Sequence, residues 1–270
     1  MREGPAAVEY EQVWRDLGLR PLKARSIIAS ALLGVEDSGI GSRRIVQFAN
    51  LFNVPEGTTR VTLSRMTSAG ELKSEGGLYH LDGRLRDRRL RQFSSRTPNL
   101  IAWDGAFEME IVHLERREAV DRLALRAAMT NLNLGEFREG VWTRPGNLDP
   151  GRRLEDRALV REQCYAVEAR VEGDPREFVG RIWDLDGWRD LANRLRRSMA
   201  IVLCDLEVGS VEALAPGFMI AAAVTHHLMA DPLLPDELLP ARWPGGLLRD
   251  DWERFDGMWK SVLREWFEDE

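Results

Sequence analysis

Residues 53–81 read NVPEGTTRVTLSRMTSAGELKSEGGLYHL, and this stretch decides how the first third of the chain folds. Pro55 and Gly57 end any helix that arrives from upstream. From Thr58 to Ala69, small or apolar residues return at helical spacing. Thr59, Thr62, Leu63, Met66 and Ala69 mark a packed side. The opposite side presents Thr58, Arg60, Val61, Ser64, Arg65 and Ser68. Two short strand-like runs, 71–75 and 78–81, then flank Gly76-Gly77, which predicts a β-hairpin.

Upstream, residues 25–34 predict a helix with Ile27, Ile28, Ala31 and Leu32 inward, stopped by Gly34. Ser42 is placed to cap a second helix, whose Ile45, Phe48, Ala49 and Phe52 form one stripe. Helix, helix, turn, helix, hairpin is the order of a winged helix-turn-helix, expected over 20–82. In such a module the third helix enters the major groove and the hairpin lies along the backbone. The outward face of 58–68 suits that task. Its arginines and hydroxyls can bond phosphates and guanine edges, and Val61 can touch a thymine methyl. The same module also occurs as a protein-interaction adaptor; a purely structural role would leave Arg60 and Arg65 without a reason to share a face with Ser64.

Charge agrees with a polyanion-binding head. The chain carries a net charge of −6, yet residues 20–100 hold 14 Lys and Arg against 7 Asp and Glu. The remainder holds 24 against 37, a net of −13. Residues 82–98 alone have six arginines and two aspartates, and 83–98 reads as a basic linker. Lys73, Arg84, Arg88 and Arg91 are the expected phosphate contacts.

Beyond residue 99 the character changes. Runs 107–114, 140–145 and 164–171 read as strands and 117–130 as an amphipathic helix with Val120, Leu123, Ala124, Ala127 and Ala128 on its packed face. A long helical region covers 176–204 with a break near Gly187. That order predicts a ferredoxin-like α+β domain over 99–205. The region 206–270 is helical, rich in Trp and Pro, and ends in a helix over 247–267. Trp252, Trp259 and Trp266 on that helix are the candidate dimer interface.

Catalytic signatures are scarce. No apolar run such as 216–224 reaches the roughly 20 residues of a membrane span, and residues 1–16 lack the apolar core of a signal peptide. The expected location is therefore cytoplasmic, with Cys164 and Cys204 as reduced thiols. His226 and His227 are adjacent on a helix and point about 100° apart, so they do not chelate together, and no metal or cofactor is expected. Asp104 is the one carboxylate suited to a Cas2-like metal-dependent nuclease, and no partner stands at fixed spacing. The expectation is a protein that is not an enzyme and has no catalytic residues.

The string DPLLPDELLPARWPG at 231–245 resembles the tail signature of the PaaX family of bacterial transcriptional repressors, named for control of phenylacetate catabolism. RPLKARSII at 20–28, TRVTLSRM at 59–66, GVWTRP at 140–145 and IWDL at 182–185 resemble further family segments, in order. The resemblance implies a winged helix, a middle domain similar to Cas2 and a helical C-terminal domain. It also implies a homodimer on a palindromic double-stranded operator. Release would come from a small-molecule effector, an aryl-acyl-coenzyme A thioester such as phenylacetyl-coenzyme A. Val61 stands where the family pattern has a polar residue, so the operator would differ. An effector pocket is expected between the middle and C-terminal domains, formed by Trp142, Arg144, Trp183, His226 and His227, because ligands favour domain boundaries.

Overall fold

The computed structural model describes residues 23–34, 39–83, 85, 99–113 and 118–268. Its first elements are α1 (Ala24–Gly34), β1 (Ile40–Gly41), α2 (Ser42–Asn50), α3 (Glu56–Ser68), β2 (Leu72–Glu75) and β3 (Leu78–Leu81). There follow β4 (Phe107–Val112), α4 (Ala119–Asn131), β5 (Gly135–Arg138), β6 (Val141–Pro145), α5 (Leu154–Gln163) and β7 (Cys164–Ala169). The chain closes with α6 (Pro175–Gly180), α7 (Leu185–Glu207), α8 (Leu214–Met229) and α9 (Gly245–Glu268). It is a mixed α+β protein with two small antiparallel sheets. The described residues gather into two units. One draws on Met1–Arg96, Leu191–Met229 and Gly246–Glu270, the other on Thr97–Asp190 and Ala230–Gly245. The region 206–270, expected as a domain of its own, is thus divided between both.

In the first unit, α1, α2 and α3 bury one stripe each: Ile27, Ile28, Ala31 and Leu32; Ile45, Phe48 and Ala49; Thr59, Leu63 and Met66. The cap of α2 is Gly41, with Ser42 as the first helical residue and no side-chain cap bond. Helix α3 starts two residues earlier than expected, because Pro55 takes the extended capping position and Glu56 opens the helix, where a carboxylate suits the dipole. The hairpin forms as expected. Gly76 and Gly77 have φ of +59° and +83°, the left-handed pair that a two-residue loop requires. The short strand β1, which the sequence did not announce, pairs with β3 and gives the order β1-β3-β2. Arg25 ties α1 to the hairpin through two bonds to Glu71 at 2.7 and 2.8 Å.

The tail helix packs inside this same unit. Trp259 donates to the Leu214 carbonyl at 2.9 Å and its ring meets Phe48 and Phe218. Trp266 reaches Phe48, and Arg44 lies over the Trp266 ring while donating to the Phe267 carbonyl at 2.7 Å. Trp252 and Trp259 are buried within the chain, so neither is open to the dimer interface expected of this row, whereas Trp266 is half-buried. Val211–Met229 is long and apolar enough to cross a membrane, longer than the sequence reading allowed. Leu214, Phe218, Ile220, Val224 and Leu228 of that segment are buried.

In the second unit a strand–helix–strand–strand–helix–strand run folds into one sheet of order β5-β6-β4-β7. The second helix of this run is α5, between the expected strands 140–145 and 164–171, and β7 is the fourth strand. The region 176–204, expected as the second helix, lies outside the run. It breaks after α6, and Asp184 accepts from the Gly187 amide at 2.9 Å near the start of α7. Strand β5 was missed. Its Gly135 lets the backbone approach Ile182 and Trp183 so closely that a methyl group would overlap both. Helix α4 turns a different face inward than expected. Leu125, Ala128 and Met129 are buried, whereas Val120 and Leu123 are exposed by 71% and 69%. Leu132 and Leu134, just beyond the expected helix end, complete that core with Trp142, Val160 and Cys164.

Replacing Trp259 by Ala should lower unfolding free energy by about 3–5 kcal/mol, the usual cost of deleting a large buried aromatic. Trp259→Phe should cost less while leaving the Leu214 carbonyl unpaired. Urea denaturation followed by far-UV circular dichroism measures both.

Candidate nucleic-acid interface and ligand sites

Burial of Thr59, Leu63 and Met66 fixes the rotation of α3. Thr58, Arg60, Val61, Ser64 and Arg65 consequently share its exposed side, and Val61 is 52% exposed. Thr62 and Thr67 turn their hydroxyls back onto the helix, to the carbonyls of Thr58 (2.7 Å) and Leu63 (3.0 Å). Arg60 pairs with Glu56 at 2.7 Å, both well exposed, a contact that solvent keeps weak. Lys73, on β2, pairs with Glu75 at 3.2 Å. Arg84, Arg88 and Arg91 lie outside the described residues.

The five residues expected to line an effector pocket fall in both units. Trp142, Arg144 and Trp183 belong to one unit, His226 and His227 to the other. Trp142 is core, with the Arg126 guanidinium over its ring at 5.3 Å. Trp183 packs with Phe107 and Val179. His227 is buried and His226 exposed. Asp104 accepts from the Ala106 amide at 2.9 Å and pairs with Arg170 at 3.2 Å. Among the described residues no three His, Cys, Asp or Glu side chains are placed to hold a metal ion.

Arg144 is the clearest departure. Its side chain is fully buried and its donors meet protein acceptors: the carbonyls of Pro145 (3.0 Å), Asn133 (3.3 Å), Leu132 (3.4 Å) and Leu233 (3.1 Å), and Asn147 Oδ1 (2.8 Å). Glu108 lies 3.4 Å from its Nε. Burial pushes its pKa down to about 9, which still leaves it charged at neutral pH. Expected as a member of the effector pocket, it has its donors on the protein and clasps the tail segment to the sheet. Asn147 also donates to the Leu233 carbonyl at 3.0 Å, and Asn133 to that of Asp231 at 2.8 Å.

Next to this clasp is a cavity that the sequence reading did not find, of about 580 Å³. Its floor is the helix-facing side of β4 and β7, with Glu108, Glu110, Ala166 and Glu168. Arg157, Val160 and Arg161 of α5 form the facing wall. Glu110 is buried, and its Oε2 accepts no hydrogen bond among the described residues. Burial first, then the nearby Glu108, raises its pKa above the ordinary 4.5. The signal was present in FEMEIV at 107–112: carboxylates at every second position of an otherwise apolar strand face one side together.

With this geometry in hand, the molecule is a mixed α+β protein with an exposed arginine-bearing helix in one unit and a charged cavity in the other. Neither a known protein-family model nor a curated protein matches the chain. A solved structure does: the uncharacterized protein Rv0674 from Mycobacterium tuberculosis, 36% identical with a TM-score of 0.72, matched over 90% of this chain and 98% of that one. The chain belongs to the same family as that protein.

Two outcomes are expected of the buried charges. Arg144→Ala should destabilise by about 3–5 kcal/mol, because Glu108 loses its buried partner and several carbonyls lose their donor. Arg144→Lys should not restore stability, since one ammonium cannot span the same acceptors; thermal melts and limited proteolysis of the tail read both. Glu110 binds its proton more tightly in the folded state, so from this group stability falls as pH rises above its unfolded value. Glu110→Gln should remove that downward slope from urea midpoints measured between about pH 4 and about pH 7.

Proposed function

We propose that this protein is a dimeric DNA-binding transcriptional repressor of the PaaX type, with Ala24–Leu81 as a winged helix-turn-helix and 107–169 as a ferredoxin-like domain. The observation that carries the reading is the exposed side of α3, where Thr58, Arg60, Val61, Ser64 and Arg65 stand over a buried Thr59–Leu63–Met66 stripe. Its support is threefold. The order α1-β1-α2-α3-β2-β3, with β1 on the inner strand of the hairpin, suits a helix presented beside a wing. The strand order β5-β6-β4-β7 suits a split βαβ unit. Finally, the tail string that resembles the family signature has a physical task here. Leu233 accepts from Arg144 and Asn147, while Leu234 and Leu238 pack on Phe107 and Val179.

In this reading two copies place their recognition helices about 34 Å apart on a palindromic site in the cytoplasm. A small-molecule effector releases them, and phenylacetyl-coenzyme A is the first compound to try in the release assay. Operators selected from random duplexes give the substrate for the test. Arg60→Ala and Arg65→Ala should each weaken operator binding by about 1–3 kcal/mol if they read bases. Lys73→Ala should weaken all sequences alike and lower the salt slope by about one. Fluorescence anisotropy measures these changes. Wild-type affinity in both arginine variants would assign DNA binding to another surface or to none.

A further inference from the structure

The cavity between β4, β7 and α5 carries charges of both signs on opposite walls. Glu108, Glu110 and Glu168 stand on the sheet, because Glu108 and Glu110 alternate with Phe107 and Met109 and Glu168 is the register partner of Glu108. Arg157 and Arg161 face them, four residues apart and so on one side of α5. Glu108 is already engaged by Arg157 at 3.0 Å and by Arg144 at 3.4 Å. Two buried atoms of residues lining the cavity have no hydrogen bond among the described residues: Glu110 Oε2, an acceptor, and Arg157 Nε, a donor. The Glu110 residue is only 8% exposed. Buried polar groups ordinarily have partners, so these two mark where one belongs.

From this arrangement we infer that the cavity is a binding site for a small zwitterion of the α-amino acid class, with the ammonium on Glu110 and the carboxylate on Arg157 and Arg161. A ligand with a single positive charge would satisfy the glutamates and face two arginines. A ligand with only negative charge would meet Glu110 and Glu168 on the floor. A metal ion has no group of three ligating side chains among the described residues. A molecule that holds both charges a few ångströms apart answers both walls at once, as charge-assisted bonds require. The lining also includes Leu132, Val160, Ala166 and Val167, apolar surface for a side chain beyond the charged head. Glu110, as the most buried member, is the residue on which recognition turns, and its raised affinity for a proton makes an ammonium donor a good neighbour.

This inference stands apart from the DNA-binding reading, since it concerns a cavity within one unit and is measured without DNA. The full-length protein is screened against the proteinogenic amino acids by thermal shift, and hits are measured by calorimetry. At least one amino acid should raise the melting temperature in a dose-dependent way. Its N-acetyl and methyl-ester derivatives, each missing one charge, should bind at least about tenfold more weakly. Glu110→Gln should lose about tenfold or more in affinity, and so should Arg161→Ala, a change at an exposed residue that leaves the core untouched. Absence of binding by every amino acid at millimolar concentration overturns the assignment. So does equal binding of the blocked derivatives, or wild-type affinity in both variants. Operator binding, recorded on the same preparations, succeeds or fails independently of these outcomes.

Discussion

A single guanidinium organises the unit built from 97–190 and 230–245. Arg144 sits on β6 with its side chain fully enclosed, and such a charge is tolerable only where every donor has an acceptor. The acceptors come from three places in the chain: the turn after α4, the Pro145–Asn147 bend and Leu233 of the tail. Satisfying one side chain therefore fixes the height of α4, the exit of β6 and the return path of residues far away in sequence. Leu233 adopts a left-handed φ of +52°, strain that its doubly bonded carbonyl and the Asp231 carboxylate on its amide hold in place. The clasp also sets the electrostatics beside it. Arg144 and Arg157 both turn to Glu108, and Glu110 Oε2 is left without a donor among the described residues.

The other unit solves a different problem. Three short helices and a hairpin bury little apolar surface, and small modules of this size are marginal alone. The aromatic face of α9 supplies what is missing: Trp259, Trp266 and Phe267 meet Phe48 of α2, while Phe218 of α8 meets Phe52. Helix α3 needs no such cover on its outer side. Its buried stripe is narrow, so the arginines and hydroxyls on the remaining circumference stay in water.

Local signals in the amino-acid sequence determined much of this. The periodicities of 25–34, 42–52 and 58–69, the Pro55 stop and the Gly76-Gly77 turn act within a few residues, and each appears in the structure within a residue or two. The exposed face of α3 was legible for the same reason, since helical spacing alone separates Thr59, Leu63 and Met66 from Arg60, Ser64 and Arg65. Only tertiary structure decided the rest. Helix α4 carries two apolar stripes, and which one is buried depended on Leu132, Leu134 and Trp142 arriving from elsewhere. Tryptophans on α9 read equally well as an interface or as core until Phe48 and Leu214 met them. Arg144, between a threonine and a proline on a short strand, looked free to bind a ligand. Its acceptors are main-chain carbonyls and an asparagine, groups with no signature in the order of side chains, so no reading of the sequence could place them around it.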